Sequence, residues 1–77
     1  MNKLKLKEYN EHRLIYLYQP EGKGGYGEIV YNFEDKTASI LKVAEECSTY
    51  YSNKALSKVE ECAIGKSLPI DFIQAWV

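Results

Sequence analysis

The 77-residue chain is short of most residues that make chemistry easy to locate: it has two cysteines, one histidine, one methionine, one tryptophan and two prolines. Two cysteines fall far short of a disulfide framework, and Cys47 and Cys62 are expected to stay reduced. They form no C-x-x-C pair and have only His12 for company, so no metal is expected. No run approaches the ~18 uncharged apolar residues that span a bilayer. The basic start, Met1 to Glu8, has no apolar stretch behind it, which argues against a secretory leader. A cytoplasmic protein without membrane association is expected. An excess of one charge is missing too: 10 Lys and Arg stand against 11 Asp and Glu, for a net charge of −1. Only residues 1–20 lean basic, with Lys3, Lys5, Lys7 and Arg13 against Glu8 and Glu11. Nucleic-acid binders gather cations on one face, so such dilute charge does not favour a nucleic-acid partner.

What is present is ordinary globular material, 45% hydrophobic and 27% charged, without repeat, linker or low-complexity tract. A single domain over residues 1–77 is expected. Leu4 and Leu6 alternate with Lys3, Lys5 and Lys7 in the period of a short strand, whose lysines would guard an exposed edge. Arg13–Tyr18 is a β-rich run that Pro20 should end. Glu28–Phe33 and Ala38–Ala44 read as two further strands, joined by the turn residues Glu34 to Thr37. Beyond Glu46 the period changes. Ala55, Leu56, Val59, Cys62 and Ala63 recur at helical spacing, with Ser48 or Ser52 placed to cap the start and Gly65 to close the end. The expected fold class is α+β: an antiparallel meander of three or four strands, one main helix on a face, and a short apolar C-terminal segment over 68–77.

The loudest motif is Gly22-x-Gly24-x-x-Gly27, followed by Lys42 in Ala38-Ser39-Ile40-Leu41-Lys42. It resembles the glycine loop and strand lysine of protein kinases, and Asp71-Phe72-Ile73 resembles their magnesium-binding triplet. The resemblance covers about 20 residues and stops there; the helical catalytic lobe has no room in this chain, so kinase activity is excluded. Gly65-Lys66-Ser67 resembles a P-loop ending but lacks the glycine five residues before it and follows a helix, which makes it a helix stop. The surviving chemical reading of the glycine loop is a small anion- or nucleotide-binding module. In it Gly24, Gly25 and Gly27 present backbone N–H groups and Lys23 adds charge. Cys62, on the apolar helix stripe, reads as a small buried hydrophobe, and Glu45-Glu46 and Glu60-Glu61 as solvated pairs. No catalytic residue and no cofactor are assigned.

The preferred reading rests on aromatics. In the meander, one face would carry Ile15, Leu17, Ile29, Tyr31, Phe33, Leu41 and Val43, and the other Leu14, Tyr16, Tyr18, Val30 and Ile40. One helix covers one face, so the second needs another cover, from the chain's own ends or from a protein partner. Tyr16, Tyr18 and Trp76 are the expected contact residues of a non-catalytic interaction module, with an unidentified protein or a second copy as partner and the Lys3–Lys7 edge as a further surface. The strings Tyr16-Leu17-Tyr18-Gln19-Pro20-Glu21-Gly22-Lys23-Gly24, Tyr51-Ser52-Asn53-Lys54-Ala55 and Ala75-Trp76 are similar to a group of small uncharacterised bacterial proteins. That resemblance implies a stand-alone protein and carries no residue role.

Overall fold

The computed structural model describes residues 1–44 and 49–75. Over these residues the fold is α+β, with five antiparallel strands in one open sheet and one helix across a single face. In chain order these are β1 (Asn2–Tyr9), β2 (Arg13–Pro20), β3 (Gly27–Asn32), β4 (Thr37–Lys42), α1 (Thr49–Gly65) and β5 (Asp71–Gln74). Spatial order is β4-β3-β2-β1-β5. The first four strands form the expected meander, and part of the apolar C-terminal segment becomes a fifth strand beside β1. Lys3 and Lys5 therefore do not guard an edge: over Asn2–Lys5, β1 lies between β2 and β5.

Local chemistry explains the turns. Asn10 Oδ1 accepts from the N–H groups of His12 and Arg13, and Asn32 Oδ1 from those of Glu34 and Asp35. Both are the side-chain mimicry of a turn that asparagine favours. The helix stops one residue later than expected. Ser67 N–H donates to the Cys62 carbonyl and Lys66 N–H to that of Ala63, a Schellman pair. The left-handed residue is thus Lys66, at φ 55°, and Gly65 remains helical. At the other end Ser52 is no cap. It lies inside the first turn, and its hydroxyl donates back to the Thr49 carbonyl at 2.9 Å; Ser48 and Cys47 lie outside the described residues.

The core also corrects the expected division of faces. Tyr16 pairs with Ile29 and Leu14 with Tyr31, while Ile29 pairs with Ile40. Directly opposed residues share a face, so Leu14, Tyr16 and Tyr18 join Ile29, Tyr31 and Ile40 under the helix, and Ile15, Leu17 and Val30 face away. Two bulges complete the shift. Lys7 is the extra residue on β1, and Leu41 the extra residue on the edge strand β4. Leu41, next to the inward Ile40, and Val43, beyond the end of β4, are exposed instead of in the core. Against the tyrosines α1 presents small side chains, Ser52, Ala55 and Ala63, together with Val59. Large groups on the sheet and small ones on the helix fill the same layer, as dense packing requires.

Candidate functional site

Tyr16 and Tyr18 are each wholly buried, so the contact surface expected on their rings is not there to be touched. Their hydroxyls do other work. Tyr16 donates to the Pro69 carbonyl at 2.7 Å, and the Ala44 N–H donates to Tyr18 Oη at 3.0 Å. Ala44 precedes the helix in sequence and Pro69 follows it. The two phenols therefore hold the two ends of the helical excursion onto the sheet, each giving a buried aromatic its polar partner. Burial, with a smaller contribution from Cys62 nearby, pushes the Tyr16 phenol up to about 12. Burial likewise raises the Cys62 thiol, so neither is poised as a nucleophile. Trp76 lies outside the described residues.

The glycine loop is built as a turn. Glu21 and Gly22 both have positive φ, 54° and 67°, as the central pair of a type I′ turn requires, and Lys23 N–H closes it on the Pro20 carbonyl at 3.1 Å. Gly22 N–H is spent on Gln19, whose side chain in turn donates to the Gly24 carbonyl. Gly27 belongs to β3 and is buried, and its role is steric: a β-carbon there would sit 2.1 Å from the Tyr18 ring. Of the residues expected to cradle an anion, Lys23, Gly24 and Gly25 are exposed on the loop and Gly27 is turned to packing. Glu21 pins the loop further. It accepts from the Met1 ammonium at 2.7 Å and the Tyr51 hydroxyl at 3.0 Å, and these hydrogen bonds hold its carboxyl below its ordinary range.

A residue that the pattern left without a role, Asn2, is wholly buried. Its amide donates to the Tyr51 carbonyl and to Gln74 Oε1, and Gln74 donates to the Lys54 carbonyl. This relay ties β1 and β5 to the first turns of α1. Alternation alone marks Asn2 as facing inward with Leu4, which is the signal that could have found it.

Two surfaces remain. The first is the open face of the sheet. Ile15 is buried there although no helix covers it, because charged side chains lie over its surroundings: Lys7 reaches Glu28 at 2.9 Å and Arg13 bonds Glu8. Register sets one row across all five strands of this face: Asp71, Lys5, Leu17, Glu28 and Lys42. The second is a cleft of about 620 Å³ at the end of the sheet–helix layer, between Tyr9, Tyr31 and Phe33 on one side and the end of α1 with Leu68 on the other. Phe33 stands edge-on to Tyr31 at 5.4 Å and to Tyr9 at 6.1 Å. Among the described residues no cluster of three or more His, Cys, Asp or Glu has the arrangement of a metal site, and no helix is long and apolar enough to cross a membrane.

No family model matches the chain, and neither a curated protein nor a solved structure does. Its function is therefore argued from these surfaces.

Proposed function

We propose that the protein is a non-catalytic interaction module that self-associates, and that its contact surface is the open face of the sheet. The observation that carries this is the row Asp71–Lys5–Leu17–Glu28–Lys42. It reads acid, base, apolar, acid, base, and is self-complementary when reversed. A two-fold axis parallel to the strands and passing over Leu17 sets Lys5 over Glu28 of a second copy, Asp71 over its Lys42, and Leu17 over Leu17. Face-to-face sheets pack about 10 Å apart with such side chains between them, and a closed two-fold dimer uses the same patch on both copies. Ile73, exposed on the same face, extends the apolar part. The surface thus passes from the tyrosines to the lysine-bearing face of β1.

Sedimentation equilibrium tests the reading. Wild-type protein should exceed its 8.9 kDa protomer mass as concentration rises. Asp71→Lys or Lys42→Asp alone should return it towards 8.9 kDa, and the double exchange should restore association. A wild type that keeps the protomer mass up to about 1 mM, the limit of weak binding, removes the proposal.

A further inference from the structure

The cleft at the end of α1 carries a second inference, independent of the sheet face. Its wall is aromatic, with Tyr9, Phe33 and Tyr31 in successive edge-to-face contacts that leave ring surface facing the space. Tyr9 is 60% exposed although it is a ring held against another ring at the mouth of a cleft. Its polar lining is lopsided. Lys36 and Lys66 both border the cleft, and among the described residues neither has an ion-pair partner. The single acid there, Glu11, lies 3.5 Å from His12 Nε2.

The two lysines share an unusual backbone. Three non-glycine residues in the described chain have positive φ: Glu21, Lys36 and Lys66. Two of them are the cleft's cations. Left-handed positions of this kind, one in a hairpin turn and one just past a helix, are ordinarily filled by glycine or asparagine at lower cost. Lysine is a costlier choice than glycine or asparagine at both positions, and residues kept in costly conformations cluster where ligands bind. The carbonyls of α1 at this end oppose an anion, but those of Cys62 and Ala63 are already occupied by the N–H groups of Ser67 and Lys66.

From this convergence of flat apolar walls and two cations with no ion-pair partner among the described residues we infer that the cleft binds a small aromatic anion, a planar ring bearing a carboxylate or phosphate. The rings accept the planar body by stacking and edge contact, and Lys36 and Lys66 take the charge. The volume is within the range of sites that enclose a single small molecule.

The test is a titration of the full-length ¹⁵N-labelled chain followed by amide NMR. The probes are 2-naphthoate, inorganic phosphate, benzyltrimethylammonium and adenosine monophosphate. Saturable shifts at Tyr9, Phe33, Lys36 and Lys66 with naphthoate are expected, at least ~10-fold tighter than with phosphate, which has no ring. Lys36→Asn with Lys66→Asn, chosen because asparagine tolerates positive φ, should keep the spectrum folded and weaken naphthoate binding ~10-fold or more. Displacement of naphthoate by adenosine monophosphate would extend the ligand class to ring-bearing phosphates. Equal or tighter binding of the ammonium probe, naphthoate binding indifferent to the two lysines, or no saturable shift would each overturn the inference.

Discussion

The two faces of the sheet draw on alternate residues of the same strands and are held in opposite ways. Under α1, Leu14, Tyr16 and Tyr18 are excluded from water by small helical side chains, and two phenol hydroxyls tether the chain on either side of the helix. On the open face Ile15 and Leu17 are screened by Lys7 with Glu28 and Arg13 with Glu8. The first face has a permanent cover that brings apolar contact. The second has a flexible one made of charged stems, which ions and solvent loosen. Stability should therefore reside in the first face, and freedom to meet a partner in the second.

The largest effects belong on the covered face. Tyr18→Ala deletes a fully buried ring and its bond to Ala44, and should cost ~3–5 kcal/mol. Gly27→Ala, which drives a methyl into that same ring, should cost ~1–3 kcal/mol. Urea midpoints check both, and a small loss at Tyr18 would erase the distinction between the faces. Next comes Tyr16→Phe, which removes the Pro69 bond and should cost ~1 kcal/mol at neutral pH. Its pH behaviour is more telling. The folded phenol is raised to about 12 from an ordinary value of 10.0, so the unfolded chain loses this proton first. The contribution is complete below pH 10 and is lost as pH rises towards 12. Wild-type stability should fall more steeply than that of Tyr16→Phe across that interval, and parallel curves would show that the phenol is not shielded. The smallest effect belongs on the open face: Ile73→Lys should change stability by no more than ~0.5 kcal/mol, because Ile73 is 62% exposed.

Much of the fold is legible in the sequence. The ending of β2 at Pro20, the turn over Glu34 to Thr37 and the stripe Ala55, Leu56, Val59, Cys62 and Ala63 follow from turn chemistry and period, and all three stand in the structure. The strand at Asp71–Gln74 was not legible, since four residues of mixed character take their conformation from the free side of β1. The tyrosine face misled for a specific reason. In β2 both alternating sets, Leu14-Tyr16-Tyr18 and Ile15-Leu17, are apolar, so alternation says which residues travel together without saying which set faces in. The candidate cleft was hidden as well, because Tyr9, Phe33, Lys36 and Lys66 come from separate segments whose meeting depends on where the hairpins and the helix end.

Local sequence determined what can be decided within a few residues: five turn-bounded segments of strand or helix, an α+β class, a helix with one small-residue stripe, and no span fit for a bilayer among the described residues. Those follow from backbone preference and side-chain period, which act over one turn or one pleat. Tertiary structure alone decided the rest: which face of β2 meets the helix, that β1 is flanked on both sides, that Gly27 exists to admit a ring, and that two lysines in left-handed turns border one aromatic cleft. Each of these depends on pairing register and on packing between segments tens of residues apart, where a shift of one residue turns a side chain from core to solvent.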